Sequence, residues 1–269
     1  MLFIFRKLRR SFFLPGKVRT YCAYAIGEIL LIVVGILLAL QVSDWNQERI
    51  EQQEITAYAQ SLVKDLERDL EDLHEIIEQM VYLRDKIEAM ADYVRGKSID
   101  EIENFRLFFY MRKPYYRPYQ WNRTSLEQMK NSGALRKMKN RALAEKISVY
   151  DAFTRHLDED FAHDRRIGDS ANALANEVIN KNYTSNIWET ATKGNPAFPD
   201  FPTPALHQSF RDMDLPLLTN DIKAVQTAVN GFTNMLDTPS LGPRIDNEMP
   251  LLLARARELI ELLKAEYPE

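Results

Sequence analysis

Four histidines, His74, His156, His163 and His207, and one cysteine, Cys22, are the residues with most capacity for metal, acid–base or nucleophilic chemistry. Glu71 and His74 stand three positions apart, as do Asp160 and His163, so each pair shares one face if it lies on a helix. Two such steps facing each other would supply part of a carboxylate-bridged metal centre, which also takes a glutamate from each of two further helices. The chain, however, carries 39 Asp and Glu residues, so a carboxylate three places before a histidine is expected by chance. The steps are read as solvated surface charge, with Glu71, His74, Asp160 and His163 kept as the metal candidates and His156 as a variant of the same idea. Nucleophilic catalysis needs an activated Ser, Cys or Thr beside a base and an oxyanion site. Cys22 sits at the edge of an apolar run, and the chain holds neither a G-x-S-x-G turn nor a glycine-rich phosphate loop. A lone cysteine also excludes an internal disulfide and a cysteine zinc cluster. No catalytic residue and no cofactor is assigned.

A second candidate is aromatic. Tyr115, Tyr116, Tyr119 and Trp121 lie among Arg112, Lys113, Arg117 and Arg123 in the stretch KPYYRPYQW, and stacking faces beside guanidinium groups suit a glycan, peptide or anionic ligand. The same rings can instead seal the end of a bundle where the chain turns.

These residues must be positioned by helices. Of the 269 residues, 45% are hydrophobic and 28% charged, which excludes collagen-like and wholly disordered chains. Residues 1–42 carry six Lys or Arg and one Glu, leaving 29 basic against 38 acidic residues beyond, a net charge of −9. Such a surface is a poor general binder of nucleic-acid phosphates, and no nucleic-acid partner is expected.

Tyr21 to Val42, YCAYAIGEILLIVVGILLALQV, forms as a helix a rod of roughly 33 Å, which matches a hydrocarbon core of about 30 Å. Arg6, Lys7, Arg9, Arg10, Lys17 and Arg19 precede it, while Asp44, Glu48, Glu51 and Glu54 follow, so the positive-inside tendency places the N-terminus in the cytoplasm. The run is longer than a cleaved signal's apolar region, and Leu40-Gln41-Val42 is no small-x-small cleavage site. Three regions follow: a basic cytoplasmic segment 1–20, a transmembrane signal anchor 21–42, and a helical domain 43–269 on the far side. Phe5, Leu8 and Phe12 suit either an interfacial amphipathic turn or a simple topology-setting flank. Ala23, Gly27, Gly35 and Ala39 form a small-residue stripe that would admit a second copy, making a homodimer through the span a candidate partner beside the lipid bilayer. Glu28, the one acid in the run, reads either as interfacial or as needing a partner within an assembly.

Beyond the span, no proline or glycine occurs from Asp44 to Arg95, and Leu66, Leu73, Met80, Ile87 and Val94 recur every seven residues. Leu62, Leu70, Ile76, Ile77, Leu83 and Met90 widen that row beyond a two-stranded seam, so a bundle is favoured over a free stalk. Gly96 predicts a C-cap, and Ser98 with Glu101 a capping box opening a helix to about Arg112. Thr124 to Ser132-Gly133 reads as a short helix. Arg141 to about Lys181 is a second long rod, with Leu143, Ile147, Tyr150, Phe153, Leu157, Phe161, Leu174 and Val178 at helical spacing. Pro196, Pro199, Pro202, Pro204 and Pro216 mark 182–216 as irregular. Helix resumes from about Asn220 to Leu236, breaks at Pro239 and Pro243, and returns from Pro250 to Glu266. The fold class is all-α: one transmembrane helix, then an antiparallel helical bundle with two long helices.

The residues FRKLRR, Lys17 and YAIGEILLIVVGILLALQVSDWN resemble an uncharacterised bacterial domain-of-unknown-function family of single-span inner-membrane proteins. Thr124 to Tyr150, with Ser132-Gly133, Leu135 and Asn140, is similar to a second block of that family. The resemblance implies a bacterial inner-membrane protein with a periplasmic helical domain, and it implies no reaction. The Pro/Gly break at 238–243 departs from the continuous C-terminal helix expected of it. The leading expectation is an interaction or sensor-like module with an unknown membrane or periplasmic protein partner. A metal-binding helical-bundle enzyme and a passive scaffold of an envelope complex are the alternatives.

Overall fold

The computed structural model describes residues 17–183, 212–213, 215–237 and 239–268, and among them there is no β-strand. Phe5, Leu8 and Phe12, His207 and the prolines from Pro196 to Pro204 lie outside the described residues. The chain divides into two compact units, Met1–Ala57 and Tyr58–Glu269.

The helix α1, Lys17–Val94, runs 78 residues and enters both units. Its apolar stretch in the first unit is exposed on every side, with Leu31 at 75% and Val42 at 64% exposure. From Leu62 onward the helix has one buried face: Leu66, Leu73, Met80, Ile87 and Val94 are all buried, as the seven-residue recurrence predicts. The helix stops where Gly96 takes φ 74°, a left-handed conformation open to glycine without a Cβ clash.

After α1 the expected single helix to Arg112 is split. Ser98 N donates to Glu101 Oε2 at 2.8 Å, but what it opens is only a 3₁₀ turn, Ile99–Glu101. Ile102 and Glu103 are extended before α2, Asn104–Met111, which buries Phe105, Leu107, Phe108 and Phe109. Residues 112–123 then form a strap without regular secondary structure. The helix α3, Thr124–Asn131, and the single turn α4, Ala134–Lys137, follow, separated by Gly133 at φ 76°. The second rod is α5, Arg141–Val178, capped by the Asn140 side chain, which accepts from Leu143 N. The helix α6, Ile222–Thr233, is capped in the same way by Asp221. The expected break at Pro243 is not one: Leu241–Pro243 is already helical, a π-helical turn Arg244–Glu248 continues it, and α7, Met249–Glu266, completes the chain's last rod. Pro243 fits because it lies in the first turn, where its missing N–H has no intrahelical partner to serve, and Pro250 stands directly after the π-helical turn, where the helix changes its hydrogen-bond spacing.

Bonds between elements fix the directions. Strap residues 122, 117 and 112 meet α1 at Asp69, Gln79 and Lys86, so strap and α1 run oppositely. Strap residues 121, 116 and 115 meet α5 at Asp158, Asp164 and Asp169, again oppositely. The two long helices therefore run parallel within the second unit, with the strap returning between them. The antiparallel partners are the shorter helices: α7 meets α5 through Glu258–Lys146 and α1 through Lys264–Glu67, and Leu218 N, just before α6, donates to Val178 O at the end of α5.

Candidate functional site

An irregular strap in a helical interior must find partners for backbone groups that no helix satisfies. On one side α1 supplies them from a single face. Asp65 Oδ2 accepts from Ser125 N at 3.1 Å, Asp69 Oδ1 from Asn122 N and Nδ2 at 2.8 Å each, and Gln79 Oε1 from Arg117 N at 2.9 Å. Asp72 and Glu75 pair with the Arg117 guanidinium at 3.1 and 3.2 Å. Lys86 Nζ donates to Arg112 O at 2.7 Å, closing the C-terminal end of α2. The ammonium of Lys86 is pulled down to about 7, by burial first and then by the charges of Arg112 and Lys113. Asp69, only 4% exposed, is held above the usual carboxylate range because burial outweighs the amide donors of Asn122.

On the other side α5 receives the strap's side chains. Tyr115 OH donates to Asp169 at 2.5 Å, Tyr116 OH to Asp164 at 2.7 Å, and Trp121 Nε1 to Asp158 at 2.9 Å, where Arg123 also pairs at 2.6 Å. Gly168 lets the strap approach: a Cβ there would lie 2.8 Å from Tyr115 Cε1 and 2.9 Å from Pro114 O. Tyr116 and Tyr119 are buried, and Tyr119 stacks on Trp121 with ring centroids 5.1 Å apart. Of the four rings proposed as a ligand platform, these two thus present no face to solvent, and Tyr115 and Trp121 spend their polar atoms on α5. The arrangement is that of rings sealing an interior.

The densest chemistry lies where the π-helical turn meets α5. Arg244 is 1% exposed and faces three carboxylates. Its Nε and Nη2 reach Asp164 Oδ2 and Oδ1 at 2.9 and 3.1 Å, and its Nη1 reaches Asp160 Oδ2 at 2.6 Å and Glu248 Oε2 at 2.8 Å. Ser240 Oγ donates to Asp164 at 3.0 Å, and Arg244 Nη2 also donates to Pro239 O. Burial opposes the charge on Arg244, yet Asp164 and Glu248 overcome it and keep the guanidinium protonated. Asp160 is held above the carboxylate range, by burial first, with Arg244 acting against it. The hydroxyls of Tyr116 and Tyr119 are pushed up by burial. His156 Nε2 lies 3.2 Å from Asp160 Oδ2 at the exposed rim.

The metal candidates fall in separate places. Glu71 and His74 are exposed on α1, with His74 Nδ1 2.6 Å from Leu70 O of its own helix, while Asp160 and His163 are half-buried on α5. Among the described residues, the histidine–carboxylate group that converges is His156, Asp160 and Glu248, with ligand atoms all within 4.8 Å of one another. Sequence reasoning missed Glu248, Arg244 and Asp164. The available signal was the gap in α5's apolar row between Phe161 and Leu174, where Asp164, Gly168 and Ala171 are buried instead. In the apolar stretch of α1, Glu28 and Ala39 are exposed, and an added Cβ at Gly27 or Gly35 would meet nothing within 4 Å.

The description "Family of unknown function (DUF6090)" belongs to a family that matches residues 28–165, half of the chain. The chain belongs to DUF6090. The DUF6090 match takes in the apolar stretch from Glu28, the acid face of α1, the strap and α5 as far as Asp164, and it ends before Asp169, Arg244 and Glu248. Comparison with curated proteins and with solved structures gives no match.

Proposed function

We propose that this DUF6090 member is a single-span protein of the bacterial inner membrane, with its N-terminus in the cytoplasm and its helical domain in the periplasm, and that this domain works as an interaction module. The observation that carries the reading is the exposure of the apolar stretch of α1. Ile26, Leu31, Leu37 and Val42 are all more than half exposed. A helix apolar on every face is a costly surface in water and a favourable one in lipid. The interaction role is supported by the use made of the polar residues in the second unit. The carboxylates of α1 and α5 bind the strap and Arg244, which builds a defined surface without committing these groups to an open reaction centre.

Carbonate extraction of membranes followed by protease treatment of spheroplasts tests the reading. The full chain is expected to stay with the membrane pellet, and external protease is expected to remove the helical domain. Release by carbonate, or a domain shielded until the cells are lysed, would overturn it. Affinity purification from detergent extracts then separates the roles, since a stable stoichiometric protein partner is expected of an interaction module.

A further inference from the structure

A cavity of about 350 Å³ opens between α1 and the C-terminal end of α7, a volume at the small end of the range of ligand pockets. Its α1 wall is Gln60, Val63, Lys64 and Glu67, whose spacing puts them on one stripe of the helix. Lys264, Tyr267 and Pro268 form the facing wall. Two bonds frame the opening from one wall to the other: Gln60 Nε2 donates to Pro268 O at 2.8 Å, and Lys264 Nζ pairs with Glu67 Oε1 at 2.7 Å.

The second of these bonds also sets the charge. Glu67 is neutralised by Lys264, and Lys64 makes no hydrogen bond or ion pair among the described residues, so the lining carries one uncompensated ammonium with its donors on offer. A second polar group stands in the same wall without a partner. Tyr267 is only 9% exposed, and its hydroxyl bonds no group among the described residues. Burial first, and the charge of Glu266 second, push that hydroxyl above its ordinary value, so it stays protonated and able to donate. Val63, the Tyr267 ring and Pro268 give the lining an apolar side.

We propose that this cavity binds a small organic monoanion, a carboxylate on an apolar or aromatic body, with the carboxylate on Lys64 and the body against Val63, Tyr267 and Pro268. One uncompensated charge matches one carboxylate, whereas a phosphate monoester, with nearly two negative charges, asks for a second free cation. An amine would meet two ammonium groups. The site lies wholly within the second unit and goes beyond the interaction role without depending on the membrane reading. Its occupant bridges α1 and the last turn of α7.

The test uses the full-length protein in nonionic detergent micelles at pH 7.5, titrated with para-fluorobenzoate and read by fluorine NMR. Para-fluorobenzamide and para-fluorobenzylamine serve as neutral and cationic probes of the same shape. The benzoate is expected to bind one site per chain, at least tenfold tighter than either analogue. Lys64→Gln is expected to weaken it tenfold or more, whereas Lys223→Gln, on α6, leaves it unchanged. Lys64 is exposed, so its glutamine variant keeps the fold, which circular dichroism checks. Partition into the micelles is common to parent and variant and cancels from the comparison. Absence of benzoate binding below about 10 mM, equal affinity in Lys64→Gln and the parent, or an amide or amine probe held as tightly as the benzoate overturns the proposal.

Discussion

The two sides of the strap are held by polar side chains used in different ways. On the α1 side Asp69 and Gln79 accept from strap backbone N–H groups and Asp65 from that of Ser125 just beyond, so the strap's path is fixed there largely through its backbone, with the Asn122 amide and the Arg117 guanidinium as side-chain contacts. On the α5 side Asp158, Asp164 and Asp169 accept from Trp121, Tyr116 and Tyr115, so that side depends on which residues the strap carries. The buried acids at the centre of each side differ as well. Asp69 meets only amide donors and is pushed towards its neutral form, whereas Asp164 meets a guanidinium, a phenol and a hydroxyl. Amide donors suffice to place a backbone; a full charge partner is what holds two distant segments together.

Substitutions can break this contrast, and the largest effect is expected on the α5 side. Arg244→Met leaves Asp160, Asp164 and Glu248 without their shared cation and is expected to cost about 3–5 kcal/mol, read from the urea midpoint of the full-length protein in micelles. Asp69→Ala on the α1 side strands the Asn122 N–H and amide and is expected to cost about 2–3 kcal/mol by the same measurement. A loss from Asp69→Ala equal to or greater than that from Arg244→Met would erase the distinction between the two sides. Tyr116→Phe, which removes one of several donors to Asp164, is expected to cost about 1.5 kcal/mol.

An effect of a different kind, spread over pH, is expected at the strap's beginning. The folded-state pKa of Lys86 lies near 7, below the ordinary value of 10.5, so above pH 7 the unfolded chain binds more protons and stability rises with pH until about 10.5. The gain is at most about 1.4 kcal/mol per pH unit. Lys86→Met is expected to flatten the unfolding midpoint between pH 7 and 9, and an unchanged slope would show that Lys86 is not the group responsible.

Helical periodicity made α1 and α5 legible, since the centre of each apolar row is buried, as at Leu66, Leu73 and Met80 or Leu143, Ile147 and Leu157, while Leu70, Ile77, Phe153, Phe161 and Leu174 are half-buried at its edges. Gly96 and Gly133 were legible for the same local reason, a left-handed residue after a helix. What was not legible depends on pairing at a distance. Asp65, Asp69 and Asp72 have the spacing of a solvated acidic face, and only the strap, which has no periodicity of its own, turns that face inward. Arg244 follows Pro243 in a stretch that reads as a break, and nothing local separates its buried guanidinium from a surface arginine. The Glu71–His74 and Asp160–His163 steps are identical in spacing, yet the first is exposed and the second half-buried, because exposure follows from what α7 and the strap cover. The direction of the two rods also escaped periodicity, which is blind to chain sense.

The parallel sense of the long rods imposes an order on assembly. An antiparallel pair could zip from a short hairpin, but here the second rod has no bed until the chain has doubled back and laid twelve irregular residues along the first. Those twelve residues are useful only once Asp158 and Asp164 arrive, some forty positions later, so neither half is expected to persist without the other. Clipping the chain between 131 and 141 should therefore yield two fragments that, outside the apolar stretch of α1, remain unstructured apart and regain helicity when mixed.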